Sequence, residues 1–173
     1  KIERLRFHGL VKRASDVFEV EAVAGKANMA DVNAAIGLGQ LPHLDGINKA
    51  RRRLAERYFS HFGERSPLRL PARGETGRSW HMFAPLLPVA ERRVSRLDFI
   101  RCMAARGIGV GVHYPAMHLF AAYRALGYRE GQFPNAERIG QETVTLPLFP
   151  GMSSDDVDRV VAATLACIEE ARQ

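Results

Sequence analysis

The stretch Ser95-Arg-Leu-Asp-Phe-Ile-Arg-Cys-Met-Ala-Ala-Arg-Gly107, running on into Ile108-Gly-Val-Gly-Val-His113, decides the fold class. Ser95 reads as a helix N-cap with Asp98 at the third helical position, and Gly107 as the residue that stops the helix. Beyond Gly107, glycines alternate with β-branched side chains, the pattern of a short strand. A capped helix feeding directly into a strand points to a layered α/β chain, in which strands bury one face against helices.

Working outward, Trp80-His-Met-Phe-Ala-Pro-Leu-Leu87 reads as a second strand, with Pro85 marking an edge or a bulge. Met117–Leu126 is a short helix followed by a glycine-containing loop, and Pro134–Thr143 is another helix. Val144–Leu148 is extended and leads to Pro150-Gly151. Ser153 caps a last helix that runs to about Ala171, with Asp155 and Asp156 in its first turn and Val157, Val160, Val161, Leu165 and Ile168 as its apolar face. Upstream, Val17–Val23 is extended. Met29, Val32, Ile36, Leu41, Leu44, Ile47, Leu54, Tyr58 and Phe62 then recur at helical spacing. Pro42 and Gly46 predict a break near Leu41. Asn28 is placed as the N-cap of this helical stretch, with Asp31 near its positive end. Arg65–Gly77 reads as loops around a short extended piece at Leu68–Leu70. The expected fold is therefore α/β: a small mixed sheet including Trp80–Leu87 and Ile108–His113, packed against the Ser95–Arg106 and Ser153–Ala171 helices.

Composition narrows the function classes. The chain has 173 residues, 46% hydrophobic and 25% charged, with a net charge of +6. That is the mix of a globular chain with a core, not of a disordered one. No apolar run approaches the roughly 18 residues that span a bilayer. The first residues carry no signal peptide and no starting Met, so the chain is expected to begin mid-protein. The basic cluster Lys49, Arg51, Arg52, Arg53 and Arg57 lacks a nucleic-acid-binding motif or stacking aromatics and reads as a solvated helix face. Cys102 and Cys167 fall in helical patterns and read as free, small core residues, which suits a reducing, cytoplasmic setting.

The six histidines are His8, His43, His61, His81, His113 and His118. His113 and His118 are too few and too far from other ligands to argue for a metal. They are either a packed, hydrogen-bonded pair or part of a polar pocket at a strand's C-terminal end, where open α/β sheets bind ligands. No phosphate-binding glycine loop or nucleophile elbow occurs.

Six segments in register resemble a known family. They are Arg6-Phe-His-Gly-Leu10, Lys26-Ala-Asn-Met-Ala-Asp-Val-Asn-Ala-Ala-Ile36 with Gln40-Leu41, Trp80-His-Met-Phe83, Gly107–Pro115 with His118, Phe133-Pro-Asn-Ala-Glu-Arg138 and Leu146-Pro-Leu-Phe-Pro-Gly-Met152. In this order they resemble the C-terminal half of the DegT/StrS family of pyridoxal-phosphate-dependent sugar aminotransferases. The Lys-x-Asn-x-x-Asp-x-Asn-Ala-Ala form looks closest to the branch that makes UDP-4-amino-4-deoxy-arabinose.

The resemblance implies a fold-type I aminotransferase with pyridoxal phosphate as cofactor. It implies a nucleotide-sugar substrate, an amino-acid donor (glutamate in the family) and a homodimer whose subunits share each site. Residues 1–28 would leave the cofactor domain, 29–62 would form a connecting helix or kinked pair, and 63–173 the small α/β domain. It carries Asn28 over to the cofactor phosphate, and Lys26, His81, His113 and Tyr114 to the substrate. His8 begins the segment leaving the cofactor domain. No catalytic residue is carried over, because the Schiff-base lysine is expected upstream; Lys1, Lys12, Lys26 and Lys49 do not stand in its context. Two positions depart from the pattern: Ala27 replaces an aromatic residue, and Ala30 a Ser or Thr. The alternatives are a non-catalytic remnant or dimerisation module, and a pyridoxal-phosphate-dependent sugar dehydratase relative.

Overall fold

Lys1–Leu44 and Asp45–Gln173 are separate units; the computed structural model describes residues 1–14, 17–63, 66–74 and 78–171. The first unit holds a one-turn helix α1 (Ile2–Leu5), the antiparallel strands β1 (Leu10–Ala14) and β2 (Val17–Val20), helix α2 (Asp31–Gln40) and a 3-10 turn, Leu41–His43. β2 ends at Val20, short of the expected Val23, and is exposed throughout. Arg13 ties the ribbon together across its solvent face, reaching Glu19 at 2.9 Å and Glu21 at 2.5 Å.

α2 corrects one expectation. Its N-cap is Ala30, extended at φ −71° and ψ 146°, with no side-chain cap. The extended backbone at Ala30 delays the first helical residue to Asp31, so Asn28 stands outside the helix and cannot satisfy its first amides. The expected break near Leu41 is present as the 3-10 turn containing Pro42. Met29, Val32, Ile36, Leu38 and Leu41 are 61–71% exposed, so this apolar stripe is left open among the described residues.

The second unit continues with α3 (Leu44–Phe62), α4 (Val89–Arg92), α5 (Arg96–Ala105), a 3-10 turn at Met117–Leu119, α6 (Ala121–Arg124), α7 (Pro134–Glu142) and α8 (Ser154–Glu170). Met117–Leu126 is thus two short pieces rather than one helix. The expected strands Trp80–Leu87 and Ile108–His113 are extended segments joined by single antiparallel bridges: Arg69 to Leu86, Leu86 to Thr143, Phe83 to Leu146 and Thr145 to Gly111. Pro85, Pro88 and Pro147 donate no amide hydrogen, and the resulting gaps keep the ladder from becoming continuous. The order of segments is still that of a four-stranded sheet, 69, 83–86, 143–146 and 111.

Ser95 caps α5 by accepting from the Asp98 amide at 3.3 Å. Ser153 and Asp156 form a reciprocal capping box on α8. The buried face of α8 is Val157, Val160, Val161, Thr164 and Ile168. Thr164 takes the inward position expected for Leu165, which is 37% exposed. α3 buries Leu54, Ala55, Tyr58, Phe59 and Phe62, an i, i+4, i+8 stripe. Tyr58, Phe59, Phe62 and Trp80 surround the fully buried Phe83, with centroid distances of 4.7 Å to Tyr58 and 5.2 Å to Phe59.

Two further expectations are corrected here. Cys102 and Cys167 are not free: α5 packs on α8, bringing their Cα atoms to 5.6 Å, and the two form a disulfide. Arg57 is not a solvated side chain of the basic helix face. Its Nε and Nη2 donate to the two oxygens of Asp158 at 2.6 and 2.5 Å, clamping α3 to α8 and holding the Asp158 carboxyl below its ordinary pKa.

Candidate functional site

A cleft of about 300 Å³ in the second unit is lined by His81, Met82, Gly109, His113, Tyr114, Thr145 and Pro147 among others. Strand alternation places His81 there. Trp80 is 2% exposed and packs edge-on against Phe59 at 5.5 Å, so its neighbour points to the opposite face. His113 is held by a paired backbone. The Gly111 amide donates to the Thr145 carbonyl at 3.1 Å, and the Thr145 amide to the Gly111 carbonyl at 2.7 Å. On that pair, His113 Nδ1 lies 2.8 Å from Thr145 Oγ1. The His113–Tyr114 peptide is cis, and the two rings meet edge to face at 5.0 Å. Tyr114 is 66% exposed, leaving its hydroxyl open to a ligand.

The sequence reading passed over three residues that shape this cleft. Thr145 was legible in principle, because it alternates with the buried Val144 and Leu146 and must therefore face the other way. Gly111 was taken only as part of a glycine-rich strand. Tyr58, taken as core, also donates its hydroxyl to the Pro147 carbonyl at 2.8 Å and so fixes one wall. Burial pushes its phenol well above the ordinary value, so it remains a donor across the accessible pH range.

His118 is not in the cleft. It is buried, with Nε2 2.8 Å from Glu137 Oε1, while the Gly131 amide donates to both oxygens of Glu137 and the Phe133 amide to one. The Gly131 amide above all, then His118 and the Phe133 amide, holds the Glu137 carboxyl below its ordinary pKa against the cost of burial. A depressed carboxylate contributes stability that is present at neutral pH and lost as pH falls through its folded value. Glu137→Gln should therefore flatten the acid limb of a thermal-stability profile on the low-pH side of the ordinary glutamate pKa. Wild-type and variant limbs of equal steepness would refute this role.

In the first unit, the Phe7–Lys26 bridge and the bonds His8 N to Gly25 O (3.0 Å) and Ala27 N to Arg6 O (2.7 Å) bring His8 and Lys26 onto paired segments. The Lys26 ammonium lies 5.9 Å from the centre of the Phe7 ring. Asn28 is exposed, and its amide has no hydrogen-bond partner among the described residues. Lys26 and Asn28 thus supply two free donors just ahead of the N-terminus of α2, with Asp31 in its first turn. Lys1, Lys12, Lys26 and Lys49 are all exposed. Among the described residues no three His, Cys, Asp or Glu side chains converge as a metal site. Among the described residues no helix is long and apolar enough to cross a membrane.

The family profile described as the DegT/DnrJ/EryC1/StrS aminotransferase family matches residues 1–165. The chain belongs to this family. A spore coat polysaccharide biosynthesis protein of Bacillus subtilis, SpsC, is 37% identical over 94% of this chain and 45% of its own length. Among solved structures, Spr1654 of Streptococcus pneumoniae, provisionally designated a sugar aminotransferase, superposes in its PMP form with a TM-score of 0.88. It is 28% identical over 98% of this chain and 44% of its own. DesV of S. venezuelae gives a TM-score of 0.81 at 28% identity, over 97% of this chain and 43% of its own. The chain therefore spans less than half the length of these DegT-family relatives.

Proposed function

We propose that this chain is the C-terminal part of a pyridoxal-phosphate-dependent aminotransferase that aminates the keto carbon of a nucleotide-linked sugar for polysaccharide biosynthesis, with glutamate as donor. The carrying observation is the cleft in which His81, His113 and Tyr114 present three polar side chains on a scaffold shared with sugar aminotransferases. The proposal includes a homodimer, the exposed apolar stripe of α2 being the surface a second subunit would cover; the Cys102–Cys167 bond removes the free-thiol argument for a reducing, cytoplasmic setting. The finer reading, a UDP-4-amino-4-deoxy-arabinose-forming enzyme, rests on the Lys26–Ala35 pattern alone.

The donors present fit the cofactor's anionic end. Asn28 has an unused amide, Lys26 a free ammonium, and both precede a helix N-terminus, where partial positive charge favours a phosphate. Pyridoxal phosphate, when bound, supplies the electron-accepting ring that carries the amino group between donor and acceptor. Asn28 would donate to a phosphate oxygen and Lys26 would add a point charge there or at the substrate diphosphate. His113 and Tyr114 would orient the sugar by hydrogen bonds, and His81 would close the opposite wall. None of them moves the proton at the reacting carbon; that role falls to a lysine held at the cofactor, and every lysine of this chain is exposed.

Two measurements test the reading. In the longer polypeptide that carries this chain, 15N-glutamate and a panel of nucleotide keto sugars should give a 15N-labelled amino sugar by mass spectrometry. Loss of water from the sugar without nitrogen uptake would instead support a dehydratase. On the 173-residue chain alone, borohydride reduction with pyridoxal phosphate followed by peptide mapping should label no lysine selectively. A stoichiometric label on Lys1, Lys12, Lys26 or Lys49 would overturn the assignment of the reactive lysine to another part of the protein.

A further inference from the structure

His113 sits on an arrangement that fixes more than its position. Its Nδ1 faces the Thr145 hydroxyl at 2.8 Å, and Thr145 Oγ1 has no other hydrogen-bond partner among the described residues. A threonine hydroxyl can donate one hydrogen and accept others, and a neutral imidazole has one donor and one acceptor nitrogen. If Nδ1–H donated to Oγ1, the hydroxyl hydrogen would have no protein acceptor among the described residues and only solvent to donate to. If the hydroxyl donates to Nδ1, its hydrogen is satisfied and Nδ1 is used as the acceptor. The ring proton then lies on Nε2, the nitrogen not engaged by Thr145.

Gly111 makes this geometry possible. A Cβ on residue 111 would stand 2.6 Å from His113 Cε1 and 3.2 Å from Nδ1, so any side chain there would push the ring off Thr145. The two bonds between Gly111 and Thr145 lock the strand segments in the register that sets the hydroxyl under the ring.

We propose that Thr145 and Gly111 are positioning residues that select one tautomer of the His113 ring, with Nδ1 accepting from Thr145 and Nε2–H presented to the cleft as a fixed hydrogen-bond donor, suited to an oxygen acceptor of the ligand. The proposal takes from the aminotransferase reading only that the cleft receives a ligand. It is tested on the ligand-free chain, so that it stands or falls independently of the transfer assay.

The experiment is long-range 1H–15N correlation of the histidine rings in the 173-residue chain at about pH 8.5, where imidazoles are neutral. His113 is assigned by its loss in His113→Asn. In the wild type, Nδ1 should resonate as an unprotonated nitrogen and Nε2 as a protonated one. Thr145→Val should move both nitrogens toward the tautomer mixture of a solvated imidazole, while Thr145→Ser should restore the wild-type values. Gly111→Ala should resemble Thr145→Val. Backbone amide spectra confirm that each variant is folded, and Thr145→Ala, which also lacks the hydroxyl, keeps the test decisive if the valine variant is not. A wild-type Nδ1–H tautomer, or nitrogen shifts indifferent to Thr145→Val, would overturn the proposal.

Discussion

Phe83→Ala should lower the midpoint of thermal unfolding by on the order of 10–20 °C. Phe83 is fully buried and is the one ring in contact with all four other aromatics of the cluster, Tyr58, Phe59, Phe62 and Trp80. Two of those partners, Tyr58 and Phe59, come from α3 at neighbouring positions, so the cavity left by truncation cannot be closed by moving one side chain. Phe→Ala at such sites costs about 3–5 kcal/mol, the sum of lost transfer energy and an unrelaxed void. The effect also reaches the cleft. Phe83 pairs through its backbone with Leu146, next to Thr145, and Tyr58 holds Pro147. Phe149→Ala is the matched control: the side chain is 54% exposed and its loss should shift the midpoint by little. Calorimetry showing equal, small shifts for the two variants would mean that the aromatic cluster does not organise the core.

The helices were the most legible part of the molecule, and the reason is local. Ser95 with Asp98, and Ser153 with Asp156, are capping signals written within four residues, and the structure forms both caps. The break at Pro42 is equally local. Legibility fell where a tertiary choice decided the outcome. Asn28 carries a good capping side chain, yet Ala30 is the N-cap, because backbone conformation and not side-chain preference sets where α2 starts. Thr164 rather than Leu165 faces inward because α8 packs on α5 along a line that a single-helix pattern does not specify. The expected strands were correctly placed as extended segments, but prolines on both partners reduce the ladder to single bridges.

The cleft was legible only in part. His81, His113 and Tyr114 could be named because the family resemblance carries them over on the segments Trp80–Phe83 and Gly107–Pro115. Thr145 and Gly111 act on His113 from 32 and two positions away, and only the Gly111–Thr145 pairing shows why both matter. His118, grouped with His113 by proximity in sequence, turns instead into a buried pair with Glu137, because the 3-10 turn at Met117–Leu119 reverses its direction. Arg57 shows the same limit: one member of a basic run is clamped to Asp158, 101 positions away, while Arg52 and Arg53 stay exposed.

Removing the Cys102–Cys167 bond should cost about 4 kcal/mol, from the loop-closure entropy that a link between residues 65 apart removes from the unfolded chain. Sequence reasoning took both cysteines as free because two thiols that far apart give no local sign of pairing. Their Cα separation of 5.6 Å lies in the range that a bridge spans without backbone movement. The two sulfurs differ in access. Cys167 is fully buried, whereas Cys102 is half-buried and has Arg106 Nη1 2.8 Å from its sulfur. A thiol reductant therefore has a route in from the Cys102 side. In a strong reductant the unfolding midpoint should fall by on the order of 10 °C. The Cys102→Ala, Cys167→Ala double variant should unfold at one temperature with or without reductant. Alkylation with iodoacetamide in denaturant, before any reduction, should modify neither cysteine in the oxidised protein. Two alkylated cysteines at that step in protein prepared under air, or a wild-type midpoint unmoved by reductant, would show that the pair does not act as a covalent link between α5 and α8.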